Sequence, residues 1–261
     1  LIKVIFLFSE NNCKLLRIKI TQLKRILNSF TYLFIFSIII ISCGKVSPKG
    51  EIQSKDIELS EFSKLDLKGK FRVFYVQSPH NFVNVETYPN FFDNLNIEVK
   101  DKNLSITEKS ETDKVDFYNI TIYGKNPFDV IKIADSVELN ISSQMKVENF
   151  ALHLKDNAKF IGSLISEKSE IEMANKSRAN LLGKTTLAKL NIKDTASIIS
   201  PYWYIKDLEI DSQNGNYAEL NVDEEIKGKI SNTAKLVFYG NPSKKLKVEE
   251  KAALEKRELN H

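Results

Sequence analysis

Cysteine is scarce in this chain of 261 residues: there are two, Cys13 and Cys43. A framework of disulfides or a cysteine-ligated metal site needs more than that. Glycine (9) and proline (6) are few, while Ile, Leu, Val, Phe and Tyr abound, which favours strands over loops or helices. No Gly-rich phosphate loop, nucleophile elbow or His/Cys/Asp/Glu spacing of a metal site occurs. No catalytic residue, metal ligand or cofactor is therefore expected. Arginine is also rare, with only Arg72 and Arg178 between residues 57 and 243, and His80 and His153 stand alone. An enzyme acting on acidic polysaccharide would need carboxylates and basic residues converging on one face, and no spacing here forces that.

The composition that remains is globular, 42% hydrophobic and 28% charged. Its first 42 residues differ from the rest. Lys3, Lys14, Arg17, Lys19, Lys24 and Arg25 precede an apolar run from Ile26 to Ile41, the order of a basic n-region and an h-region. The run is about 16 residues, short of the roughly 20 that span a bilayer. It ends in "ISCGK", with small residues on both sides of Cys43, and resembles the lipobox of bacterial lipoprotein signal peptides. That resemblance implies cleavage before Cys43 and lipidation of its thiol, giving a membrane partner through a lipid anchor. A triacylated cysteine meets the requirement for more than one acyl chain. The chain starts at Leu1 and its methionines are Met145 and Met173, so a non-standard or more distant start codon is expected.

Removing residues 1–42 removes six basic residues and one acidic one, leaving 32 basic against 33 acidic, a net charge of −1. The basic character of the whole chain belongs to the leader, and a nucleic-acid partner is not supported. Residues 43–56, with Pro48 and Gly50, read as a polar tether.

From there the chain repeats itself. "IKIADSVELNI", "LHLKDNAKFIG", "LNIKDTASIIS" and "GKISNTAKLVF" share apolar, x, apolar, three polar residues, a small residue, x, apolar. "IEMANKSRANLLG" and "LEIDSQNGNYAEL" fit with inserts. Taking Val137, Ala158, Ala179, Ala196, Ala218 and Ala234 as the corner residues gives spacings of 21, 21, 17, 22 and 16. Recurrence near 20 residues predicts an all-β solenoid, a parallel β-helix whose rungs are each too small to fold alone. An antiparallel sandwich is the rival, since short strands at 8 to 12 residues predict it too. Alternating strands upstream of the repeat read as wider first rungs or a capping sheet, and residues 244–261 as a charged C-terminal cap or tail.

"FSKLDLKGKFRVFYVQ", "VNVETYPNFFDNLNIEV", the strand, polar turn, Ala units and the closing "AKLVFYGNP" together resemble the head GIN domain family, adhesin-like lipoproteins or secreted proteins of Bacteroidetes. The resemblance spans about residues 57–243. It implies a right-handed parallel β-helix and an adhesin role, with no established reaction. Many relatives carry Ser-Gly-Ala at the corner, where this chain has Lys-Asp-Asn-Ala or Lys-Asp-Thr-Ala.

Asp135, Asp156 and Asp194 fall two residues before the small corner residue, with Asn232 in the same slot. Carboxylates on adjacent rungs could share Ca²⁺, but Asp and Asn also favour turns for their own sake, and the turn reading is preferred. The surface singled out is "SPYWYIKD", where Tyr202, Trp203 and Tyr204 include the only tryptophan. Exposed rings there would bind sugar or protein, whereas strand alternation would bury either Trp203 or the two tyrosines. "YPNFF", residues 88–92, poses the same choice. The expectation is a non-catalytic scaffold in the cell envelope, most consistent with the outer membrane, taking a polysaccharide or a cell-surface protein. A carbohydrate-active lyase or hydrolase and a purely structural envelope protein are the alternatives.

Overall fold

The structure, a computed structural model, describes residues 44–259; the leader and Cys43 lie outside the described residues. It is a β-solenoid of about 7 turns with rungs of about 19 residues. The chain enters through β1 (Gln53–Glu58), β2 (Lys64–Gly69), β3 (Arg72–Gln77) and β4 (Phe82–Thr87), then a one-turn helix α1 (Pro89–Asn94). Next come β5 (Leu95–Lys100), β6 (Asn103–Glu108), β7 (Asn119–Gly124) and β8 (Val130–Asp135). Five long bent strands make the body: β9 (Glu138–Leu154), β10 (Lys159–Met173), β11 (Arg178–Ile192), β12 (Ser197–Gln213) and β13 (Tyr217–Ser231). β14 (Lys235–Tyr239), β15 (Ser243–Val248) and β16 (Ala253–Lys256) continue the coil.

Every long strand pairs in parallel with the one before and the one after it, which excludes the antiparallel sandwich. Each also bends midway and contributes to two faces. The first halves stack with β3, β14 and β16 into a front face. The second halves stack with β2, β8 and β15 into a back face. Antiparallel pairing is confined to the start, where β1 joins β4, β4 joins β7 and β5 joins β6. These strands extend the two ladders at the start of the coil, and α1 packs Phe91 into the core there.

The period-2 pattern sends alternate residues inward, so each rung lays Leu, Ile, Val or Phe on its neighbour's, and one continuous core runs along the coil. The "YPNFF" segment serves this core: Pro89 opens α1, and Phe91 is buried against Tyr118 at 5.0 Å between ring centres.

The corners obey a backbone rule. Asp135, Asp156, Asn175, Asp194, Asn214 and Asn232 all have positive φ, between 57° and 74°. Only Gly, Asn and Asp enter this left-handed region readily, so the Asp or Asn of each corner does what glycine does elsewhere. The carboxylates then tie rungs together: the Asp135 amide donates to Asp156 Oδ2 at 3.3 Å, and the Asn175 amide to Asp194 Oδ2 at 3.0 Å. By this landmark the rungs are spaced 21, 19, 19, 20 and 18 residues apart, more evenly than the sequence alignment suggested. The discrepancy lies in the two inserted repeats, whose corners are filled by buried Ser177 and Asn216 and not by Ala179 and Ala218. Their side chains bond to turn backbone, Ser177 Oγ to Ala174 O at 2.8 Å and Asn216 Nδ2 to Gln213 O at 2.7 Å, and so substitute for a small apolar residue.

The supposed tether is also part of the fold. Val46 bridges Thr112, its amide donating to Glu111 O at 2.9 Å, and Lys45 Nζ meets the Glu111 carboxylate at 3.0 Å. With Gln53–Glu58 paired as β1, the segment 45–56 is held against the body; its polar side chains face solvent while its backbone finds partners. The charged C-terminal stretch likewise adds β15 and β16 to the two faces.

Candidate functional site

The two faces differ in chemistry. Across the back, outward positions are charged, mostly with opposite signs on neighbouring rungs until the last two. Glu170, Lys189, Glu209, Lys227 and Lys245 follow one another in register. Ion pairs link Lys227 to Glu209 at 3.4 Å, Lys245 to Glu225 at 2.5 Å and Lys229 to Glu249 at 2.7 Å. His153 Nδ1 lies 2.9 Å from Glu172 on this face. Such a surface is satisfied by its own pairs and by water.

The front face is different. Phe74, Ile161, Leu182 and Ile199 project outward there and are exposed, separated by Asn140 and Asn180. Two carboxylates continue this column, Glu219 and, two rungs on, Glu255; Glu219 is covered by two phenols, Tyr217 donating at 2.7 Å and Tyr239 at 2.5 Å. Both hydroxyls have pKa values raised, Tyr217 mainly by burial and Tyr239 mainly by this hydrogen bond, and stay protonated donors. Exposed apolar residues gathered on one face are the usual mark of an interaction surface.

Within this face β12 is irregular. Between β11 and β12 the ladder runs regularly to the Ala179–Ile198 pair and resumes at Gly183–Trp203, with one extra residue on β12. Between β12 and β13 it is interrupted from Ser200–Leu220 to Tyr204–Asn221, with three extra residues on β12. The bulge frees backbone groups, which side chains recover: the Leu181 amide donates to buried Ser200 Oγ at 2.9 Å, and Asn221 Nδ2 donates to Pro201 O at 3.3 Å. Gly183, at φ +100°, is required here, since a Cβ would lie 2.2 Å from Leu164 O.

The bulge settles the fate of the three aromatic residues. Tyr202 and Tyr204 are 55% and 53% exposed, while Trp203 is 0% exposed. Trp203 is therefore a core residue, and its assignment as a ligand contact is corrected: alternation places it inward between two outward tyrosines. Its indole Nε1 has no hydrogen-bond partner.

Tyr204 stands at the rim of a groove of about 570 Å³ along the midway bend of β10–β13. Two outward columns border it, Ile165, Lys184, Tyr204 and Asn221 on one side, and Glu167, Thr186, Lys206 and Asp223 on the other. Between them the inward column begins with Ser166 and Thr185, whose hydroxyls lie 2.8 Å apart with Ser169 2.7 Å from Ser166. Thr186 Oγ1 donates to Glu167 at 2.9 Å, and Lys206 pairs with Glu224 at 3.5 Å. Sequence reading missed all of these except Tyr204; the signal was the longer rung holding Pro201, which departs from the lengths of its neighbours.

Cys43 lies outside the described residues, and among the described residues no helix is long and apolar enough to cross a membrane. Residues 61–242 match the family model described as "Putative auto-transporter adhesin, head GIN domain". Among solved structures, a "putative adhesin" from Bacteroides fragilis superposes with a TM-score of 0.74 at 17% identity, covering 82% of this chain and 100% of that one. A "putative adhesin" from Parabacteroides distasonis gives 0.68 at 17% identity, covering 82% and 100%. A "putative lipid binding protein" from the same species gives 0.63 at 16% identity, again over 82% and 100%. No match was found among curated protein sequences.

Proposed function

Because the chain belongs to the head GIN domain family, we propose that it is a cell-envelope binding protein, held at the outer membrane by a lipid on Cys43 and presenting the front face of its solenoid to a surface polymer. The observation that carries this reading is the division of labour between faces. The back is closed by its own ion pairs, while the front, beside its Glu138–Lys159 and Lys235–Glu255 pairs, exposes Ile161, Leu182, Ile199, Tyr202 and Tyr204 on rigid strands. Aromatic and aliphatic groups held without loop entropy are what a passive binding surface needs.

Catalysis is disfavoured by spacing. The groove's carboxylates, Glu167 and Asp223, sit on β10 and β13, three rungs and about 14 Å of backbone apart at about 4.8 Å per rung. Glycoside hydrolysis uses a pair about 5 to 9.5 Å apart.

Two measurements test the proposal. A clickable palmitate analogue should label the wild type in the outer-membrane fraction and leave Cys43→Ser unlabelled; absence of label on the wild type removes the anchor. The purified chain should be retained by envelope preparations and lose that retention when Ile161, Leu182 and Tyr202 are all changed to serine. Retention that survives the triple change places binding elsewhere and defeats the front-face reading.

A further inference from the structure

We infer that the groove at the midway bend of β10–β13 is a subsite for a neutral saccharide, with the Tyr204 ring as its platform. This deepens the binding-scaffold reading and rests on it. The groove's walls are regularly spaced. Along each wall the side chains recur at the rung spacing of about 4.8 Å, and the walls are two residues apart on every strand, about 6.6 Å. A substituted six-membered ring fits these dimensions, and the groove's 570 Å³ holds one or two.

The chemistry of the walls points the same way. Tyr204 is more than half exposed yet sits within a strand, so its ring is presented at fixed height. An aromatic face packs against the C–H face of a pyranose as it does against other apolar surfaces. Around it, Glu167 and Asp223 accept hydrogen bonds, Lys184 and Lys206 donate them, and Asn221 does both. Sugar hydroxyls are the complementary groups, since each donates to a carboxylate and accepts from an ammonium. The two carboxylates and two ammonium groups in the walls balance, and Glu224, paired with Lys206, adds one further negative charge beside them. An anionic polymer gains nothing net from such a groove, because each favourable lysine is accompanied by a repelling carboxylate. A purely apolar ligand would strand the same four charges without water.

The test uses the full-length chain in a phosphocholine detergent, which carries no sugar. Saturation-transfer NMR is recorded with the neutral disaccharides cellobiose, maltose, lactose and diacetylchitobiose, and with digalacturonate as an anionic arm. At least one neutral disaccharide is expected to receive saturation. Tyr204→Ala should weaken its binding about tenfold or more, Tyr204→Phe about threefold at most, and Lys132→Ala, an exposed back-face position on β8 outside the groove, not at all. Because Tyr204 is exposed, all three variants should melt with the wild type. No transfer to any neutral disaccharide, transfer to digalacturonate alone, or binding indifferent to Tyr204→Ala overturns the inference. If the envelope preparations still retain such a chain, only the saccharide subsite falls; if retention is lost as well, the scaffold reading falls with it.

Discussion

Replacing Trp203 by alanine should unfold part of the solenoid before it touches any ligand. The side chain is fully buried and faces the interior at the point where β12 carries its extra residues. Truncating a buried Trp to Ala costs about 3–5 kcal/mol through lost transfer energy and the cavity left behind. Part of this is offset, since the indole N–H has no partner and leaves with the ring, removing a penalty of about 1 kcal/mol, the lower end of the cost of an unpaired neutral donor. The net loss is about 2–4 kcal/mol. For an ordered unit of this size each kcal/mol moves the melting midpoint by about 2–4 °C, so a drop of about 4–16 °C is expected. Trp203→Phe keeps most of the packing and discards the orphan donor, and should stay within about 1.5 kcal/mol of the wild type. Differential scanning calorimetry supplies the midpoints. Hydrogen exchange should show the faster amides of the alanine variant concentrated in β11–β13, because a rung's interactions reach only its neighbours. An alanine variant that melts with the wild type, or a phenylalanine variant damaged as severely as the alanine one, would refute the assignment of Trp203 to the core.

Gly183→Ala should destabilise by more than about 2 kcal/mol in chemical denaturation, since positive φ and the Leu164 carbonyl act together, while Gly215→Ala, whose Cβ would meet nothing closer than 3.7 Å, should be near neutral. Asp156→Ala should cost about 1–2 kcal/mol in the same assay, and Asp156→Gly less, because glycine retains the corner conformation and loses only the bond from the Asp135 amide. The last rung should loosen in acid. Lys229 and Lys247 hold Glu249 at about 2, and Arg257 and Lys235 hold Glu255 at about 2, against an ordinary value of 4.5. A depressed carboxylate contributes stability that is full above its unfolded value and lost as pH falls through the folded one, so β15 and β16 amides should exchange faster between about pH 4.5 and pH 2 than those of β11. Added salt should shrink the difference, as these groups lie at the surface; exchange independent of pH in that window contradicts it.

Much of the architecture was legible because solenoid physics is written in short repeats. Polar turn residues between alternating strands must recur if each rung is to stack on the last, and the phase of Leu152, Leu154, Ala158 and Phe160 is the phase found in the core. The count of residues between corners was less legible, because a small apolar residue was taken as the landmark. What the backbone demands is a left-handed residue, and Asp or Asn supplies it at all six corners, including the two where serine or asparagine fills the space beneath. The docking of residues 45–56 could not be read from side chains at all. It rests on main-chain bonds such as Val46 to Glu111 and Asp113, which carry no compositional signature.

The same distinction explains why one aromatic residue of three was misassigned and why the groove went unseen. In an unbroken strand, alternation would tell which of Tyr202, Trp203 and Tyr204 faces out only if the phase on either side were continuous. The extra residues after Ser200 interrupt that phase, and their effect depends on which carbonyls and amides find side-chain partners, here Ser200 and Asn221. The groove is lined by residues nineteen or twenty apart in the chain: Ser166 and Thr185 lie between its walls, and Tyr204 stands in one wall at a position set by the bulge. A site in a solenoid is thus a property of a column of rungs. Single-rung motifs identify the coil, whereas the chemistry presented to a ligand emerges from register, and register is altered most where one rung is longer than those stacked against it.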